Sequence, residues 1–371
     1  MKQGTYVGRI WNSEAVGPSV VAVQEGNVID LTDREAPTVR DLLEMADPLT
    51  FIRRNQRPVI CSVDGLLDGT TAFRLLAPND LQAIKACGVT FARSMVERVI
   101  EERAAGNALE ANRIREQVAE IIGGSLADLR AGSEQAAALK AKLVADGLWS
   151  QYLEVGIGPD AEVFTKSQPM SAVGHGAECG LHPASNWNNP EPEIVLAVNS
   201  DGQVRGAALG NDVNLRDIEG RSALLLGKAK DNNASCSIGP FIRLFDETYD
   251  IEDVRRAELS LLVEGQDGFV LHGKSSMSEI SRDPLDLVAQ TCGRHHQYPD
   301  GFMLFLGTLF APTQDRRAPG QGFTHEIGDV VTISNSDLGE LTNVMKHSTE
   351  CPPWEFGTSH LMRNLAARAL I

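Results

Sequence analysis

The sequence predicts an α+β fold, mostly β: a mixed β-sandwich or β-roll preceded by a small β-rich unit, with a helical lid or arm between them. Strand-length apolar runs separated by Gly, Pro and Asn turns recur from Tyr152 to the C-terminus. Helical spacing of apolar residues is concentrated between Leu81 and Asp146. Gly and Pro punctuation after Asp267 breaks up any regular βαβ series. With 371 residues, 42% of them apolar and 23% charged, the chain can bury a large core.

Taken in order, the first 80 residues form the N-terminal accessory domain. TYVGRIW, SVVAVQEGNVIDL and RPVICSV alternate like strands, and Glu25-Gly26-Asn27 supplies a hairpin turn. Residues 81–371 form the catalytic unit. Its first part, about 81–148, is rich in Ala, Glu, Arg and Leu, with Val96, Val99 and Ile100, then Ile114, Val118 and Ile121, at helical spacing. Gly123-Gly124-Ser125 and Gly132-Ser133 punctuate these helices, which form either a lid or a hairpin covering a sheet. From about 152 to 371 the strands EIVLAV, RGAALGNDV, AELSLLVEG, DGFVLHG and DVVTISNSDLGELTNVM build the roll, with DPLDLVAQTC as a short helix.

Formal net charge is −16, so a nucleic-acid backbone would be repelled. The start of the chain lacks a signal-peptide apolar core and the longest apolar run, Phe302 to Ala311, is too short for a bilayer, which predicts a cytoplasmic address and no membrane. Six cysteines, Cys61, Cys87, Cys179, Cys236, Cys292 and Cys351, contain no C-x-x-C pair, so reduced and mostly buried thiols are expected. No G-x-G-x-x-G, P-loop or G-x-S-x-G element is present.

The chemistry concentrates in the middle of the chain. Glu191 and Glu193 in PEPEIVLAV fall on one face of a strand, where Val or Leu would be ordinary. Two adjacent carboxylates tolerate burial when a hard cation such as Mg²⁺ lies between them. A solvent-facing edge strand, which Pro190 and Pro192 would suit, is the alternative. Asp212 in GNDVNLRD and Lys230 in GKAKDNNASCSIGP add a third acid and a base, the latter either catalytic or paired with a neighbouring Asp.

These elements together resemble the fumarylacetoacetate hydrolase superfamily between about Glu162 and Asn343. E-x-E is followed by Asp212 nineteen residues after Glu193, then by Lys230 eighteen residues later in K-x(9)-P, by Gly307-Thr308, and by Gly328-Asp329 with Gly339 to Asn343. The resemblance implies a β-roll in which Glu191, Glu193 and Asp212 hold Mg²⁺, or Mn²⁺ or Ca²⁺, against a small-molecule 2-oxo acid. It also implies Lys230 beside the charge that develops on that substrate, Thr308 at the substrate, and a homodimer. Hydrolase members carry an upstream G-x-N-Y-x-x-H, whereas this chain has no histidine before His175. Its GVTFARSMVERVIEERA is similar instead to the V-T-Y-x-R-S-x-x-x-R element of the 2-keto-3-deoxy sugar acid dehydratases. In those relatives a Glu shortly before an F-x-K strand is the acid and base, which Glu162 in PDAEVFTK matches; otherwise it is a surface acid in a turn. Ser94 and Arg93 are candidates for the substrate carboxylate or hydroxyls, while Arg93 and Arg98 also read as solvated helix residues.

The expected function is Mg²⁺-dependent dehydration of a 2-keto-3-deoxy sugar acid, a pentonate, to 2,5-dioxopentanoate. The alternatives are a C–C hydrolase of acylpyruvates or 2,4-diketo-3-deoxy sugar acids, and a non-catalytic sugar-acid binding protein. His295-His296 is read as loop or dimer contact, Cys236 as packing, and Trp187 as ordering the turn before the E-x-E strand.

Overall fold

The computed structural model describes the chain apart from residues 1, 56, 106, 108, 112–128, 146–148 and 309–311 and the side chains of residues 92, 93 and 96. Ile114, Val118, Ile121 and Gly123-Gly124-Ser125 therefore lie outside the described residues. In chain order the strands are β1 (Tyr6–Asn12), β2 (Gly17–Gln24), β3 (Asn27–Asp30), β4 (Val59–Ser62), β5 (Arg74–Leu76), β6 (Ala83–Gly88), β7 (Glu162–Ser167) and β8 (Glu178–Leu181). They continue as β9 (Pro192–Val198), β10 (Val204–Asp212), β11 (Cys236–Leu244), β12 (Glu258–Glu264), β13 (Val270–Ser276), β14 (Phe302–Phe305), β15 (Val330–Asn335) and β16 (Gly339–His347).

Two mixed sheets result, so the strand-rich sandwich or roll expected from the sequence is the fold. The larger sheet has the order β4-β3-β2-β1-β11-β10-β9-β14-β6-β7 with β5 on β1, and the smaller is β13-β12-β15-β16-β8. Only β14 with β6 and β16 with β8 run parallel among the described pairs. The sheets face each other across Ile194, Leu196, Val198, Leu209 and Phe302 on one side and Leu259, Leu261, Val263, Ile333 and Leu341 on the other. Val195, Ala197, Ala208, Met303 and Phe305 point the opposite way, into a second core with Val39, Leu42, Phe51 and Ile52. Strand β9 is thus buried on both faces, which its uninterrupted Ile-Val-Leu-Ala-Val run dictates.

PEPEIVLAV is an interior strand between β10 and β14, because its apolar residues have cores to fill on both sides, and the solvent-facing edge kept as the alternative falls away. Two details depart from the sequence reading. The segment from Leu81 opens with strand β6 rather than a helix. Ile84 and Ala86 alternate into the second core, and pairing with β14 and β7 outweighs local helix propensity. The first 80 residues do not form a sheet of their own, since β1 pairs antiparallel with β11 and shares its core. The Glu25-Gly26 hairpin is present, both residues having the positive φ (49° and 77°) that a tight two-residue turn requires.

Helical structure follows at Ala92–Arg103, Glu134–Ala145 and Gln151–Ile157, packed around Met95, Val99, Ile100, Leu153 and Ile157. No helix among the described residues is long and apolar enough to cross a membrane.

Candidate active site

The sheet itself builds the acidic centre. Period two places Glu191 and Glu193 on the face of β9 that continues as Val195 and Ala197, so an apolar row ends in two carboxylates. Asp212 closes β10, and its N–H donates to the Glu191 carbonyl at 3.0 Å. Glu191, Glu193 and Asp212 are all buried, each with a carboxylate oxygen within 4.8 Å of the others. Burying several ions costs on the order of several kcal/mol each unless they are paired.

The partners are unequally shared. Asp212 meets Lys166 at 2.8 Å and Lys230 at 3.0 Å, and these ammonium groups outweigh the upward push of burial and hold its carboxyl below the usual range. Lys230 also reaches Glu191 at 2.5 Å, while the other Glu191 oxygen accepts from Arg98. Burial alone would lower the Lys230 ammonium, but Asp212, Glu191 and Glu219 raise it, so the charge stays on. Glu193 accepts from the Gly307 N–H at 2.6 Å; burial, then the charges of Asp212 and Glu191, push its carboxyl well up. Gly307 has φ of +91°, and a Cβ there would lie 2.0 Å from Thr90 Oγ1, so glycine is needed to deliver that N–H.

One ion at metal–oxygen distances of about 2.0–2.6 Å fits the span of these carboxylates, and its charge answers the unrelieved repulsion at Glu193. The donor set is therefore suited to a hard divalent cation.

Around the acids lies a cavity of about 20 Å³ lined by Cys87, Gly88, Ser94, Glu162, Phe164 and Thr308 in addition to the charged residues named above. No histidine is among its described lining residues. Glu162 begins β7 opposite Gly88 of β6 and is half-buried, not a solvated turn acid. Burial, then the Glu219 charge, raise its carboxyl to about 7 against the pull of Arg98 and Lys230. Ser94 is buried, its hydroxyl donating to the Phe91 carbonyl at 2.9 Å, and Thr308 is buried beside Gly307. The side chain of Arg93 lies outside the described residues.

A Cβ at Gly88 would stand 1.9 Å from Glu162 Oε2, the free end of a flexible side chain. Gly88→Ala is therefore expected to displace the Glu162 carboxyl while the fold persists, lowering kcat on the order of 100-fold, as misplacement by about 1 Å does. Steady-state kinetics with a circular dichroism melt as control checks this.

Arg98 corrects the sequence reading most clearly: it is buried, pairing with Glu101 at 2.6 Å and Glu219 at 3.0 Å as well as with Glu191. The helical spacing Ser94, Arg98, Glu101 marks one inward stripe that could have revealed it. Lys166 was legible in EVFTK, since Glu162, Phe164 and Lys166 alternate onto one face of β7. Nothing in LRDIEG singles out Glu219. His295 and His296 are exposed, Cys236 is core, and Trp187 is buried under the Arg216 guanidinium at 4.5 Å.

Residues 154–346 match the family model "Fumarylacetoacetate (FAA) hydrolase C-terminal", so the chain belongs to the fumarylacetoacetate hydrolase family. It is 32% identical over 192 residues to the "Probable 2-keto-3-deoxyxylonate dehydratase" of Haloferax volcanii, covering 52% of this chain and 62% of that one. It is 29% identical over 185 residues to the 2-dehydro-3-deoxy-D-arabinonate dehydratase of Saccharolobus solfataricus, covering 50% and 58%. The matched part is thus about six-tenths of either relative's length. The fold is shared with apo 2-keto-3-deoxy-D-arabinonate dehydratase (TM-score 0.67, 19% identity, 92% of this chain and 99% of that one). A structure of a dehydratase of that name complexed with magnesium and 2,5-dioxopentanoate superposes with TM-score 0.65, at 20% identity and with the same coverage.

Proposed function

We propose that this protein is a Mg²⁺-dependent lyase that removes water from a 2-keto-3-deoxy sugar acid, a pentonate yielding 2,5-dioxopentanoate. The observation that carries the reading is a single carboxyl, Glu162, raised to about 7, at the same small cavity as three clustered acids. Glu191, Glu193 and Asp212 would hold the ion. Bound there, a divalent cation supplies Lewis-acid charge to the carboxylate and keto oxygens of a 2-oxo acid and so acidifies its C3 protons.

The chain's own groups do the rest. Glu162, ionised, takes a proton from C3; protonated, it gives one to the departing C4 hydroxyl, which leaves as water. The remaining 5-hydroxy-3-ene-2-oxo acid becomes the 2,5-dioxo acid when C5 loses a proton, C3 gains one and the C5 enol ketonises with protonation at C4. A pKa near the working pH suits a group that must do both. Lys230 keeps a positive charge where negative charge develops on the substrate oxygen. Ser94 and Thr308 offer hydroxyls for orientation, and Arg93 is kept as a further candidate for the substrate carboxylate. The cavity lining offers no His–Glu pair to activate water for C–C hydrolysis among its described residues. In this reading residues 81–371 are the catalytic unit of a cytoplasmic homodimer, with 1–80 accessory to it.

The test is product mass. Purified protein with Mg²⁺ is expected to convert 2-keto-3-deoxypentonates with loss of one water and to leave acylpyruvates intact. Gain of water by an acylpyruvate would transfer the assignment to the hydrolase, and no turnover of either to a binding protein.

A further inference from the structure

We propose that Arg98 is a positioning residue for the acidic centre, fixing the rotation of the Glu191 carboxylate and so setting the affinity for the divalent ion. The inference rests on the reading of Glu191, Glu193 and Asp212 as ion ligands.

Both Glu191 oxygens are engaged, one by Arg98 Nη2 and the other by Lys230 at 2.5 Å. Which of the two holds and which is held follows from what lies behind Arg98. Its Nη1 is shared between Glu101 at 2.6 Å and Glu219 at 3.0 Å. Glu101 is itself fixed by Arg216 Nε at 2.6 Å. Arg216 in turn donates to the Pro312 carbonyl at 3.1 Å, meets Glu97 at 3.3 Å and stacks on Trp187. These side chains are almost wholly enclosed, with 11% of Arg98 exposed and 2% each of Glu101 and Arg216. Arg98 is therefore anchored from behind by a braced network, and it holds one Glu191 oxygen in place while Lys230 holds the other.

The helix Ala92–Arg103 is already tied to the segment after β10 by Arg98 with Glu219 and by Arg216 with Glu101 and Glu97, so the contact with Glu191 is additional. It is also electrostatically adverse to a cation, since a guanidinium beside an ion ligand repels the ion. What Arg98 contributes must then be geometry. The planar guanidinium holds its two Nη donors at a fixed separation and orientation, one toward Glu191 and one toward Glu101 and Glu219, whereas an ammonium on a flexible stem fixes no such direction.

The two accounts of Arg98 predict opposite signs. If it orients Glu191, both Arg98→Lys and Arg98→Met weaken ion binding; if it merely neutralises charge, Lys leaves affinity unchanged and Met tightens it. The measurement is calorimetric titration of the full chain, stripped by chelator, with Mn²⁺ and Mg²⁺, alongside thermal melts. The expected result is one ion per wild-type chain and Kd raised about 10–100-fold in both variants, the usual cost of removing a group that orients a metal ligand. Wild type that binds no ion defeats the metal reading and this inference with it. Wild type that binds while Arg98→Lys keeps its Kd, or Arg98→Met tightens, overturns this inference alone; a lowered Tm with unchanged Kd is that same overturning outcome. Should Arg98→Met fail to fold, Arg98→Lys decides, since it keeps charge and helix propensity.

Discussion

Glu162→Gln is expected to lower dehydration by on the order of 100- to 10,000-fold while leaving ion binding and substrate affinity near wild type. The amide keeps the shape and the pairing of β7 with β6 but cannot accept and return a proton. Deuterium exchange at C3 of a 2-oxo acid analogue in D₂O reads proton removal without requiring loss of the hydroxyl; undiminished exchange in the variant would take the role from Glu162. The pH profile gives a second readout. Removal of the C3 proton needs the ionised carboxylate, so kcat/KM should fall as pH drops through the Glu162 pKa. That pKa is about 7 without an ion beside it, and added positive charge lowers it, placing the acid limb at or below pH 7. Glu162→Gln should erase that limb.

Glu193→Gln is expected to cost on the order of 100-fold or more in kcat, the scale of losing a charge-stabilising element, and to lower ion affinity. Its physical signature lies in stability. Burial and the neighbouring Asp212 and Glu191 disfavour the Glu193 carboxylate, so an ion relieves repulsion in the wild type that the amide does not have. Melting temperature in chelator should be equal or higher in the variant, whereas Mg²⁺ should raise it strongly in the wild type alone. Full turnover by wild type in excess chelator, or an equal Mg²⁺ response in both proteins, contradicts the assignment.

Much of this was legible because alternation in a strand is strict. PEPEIVLAV places two acids on one face by alternation alone, and the spacing to Asp212 and Lys230 carries the rest of the centre. What stayed hidden depends on which helix faces inward. Arg98 and Glu101 look like any charged helix pair until Glu219 and Arg216, more than a hundred residues later, are folded against them. Strand β6 was missed because six residues of Ala, Ile, Lys, Cys and Gly have little preference of their own, and their neighbours β14 and β7 decide the matter. The place of the N-terminal strands was equally non-local, since nothing within TYVGRIW announces β11 as its partner.

That last pairing bears on how the gene can change. Strand β11 follows Lys230 by a few residues and runs beside β10, whose final residue is Asp212. Its other edge is occupied by β1. A recombination or insertion near residue 80 would therefore not exchange a self-contained module. It would hand a neighbour of the acidic centre a new flank and leave Ile238 and Ile242 without the side chains that cover them. Lineages are consequently expected to inherit the two segments together, and sequence drift in the first strand to be constrained by a site it never touches.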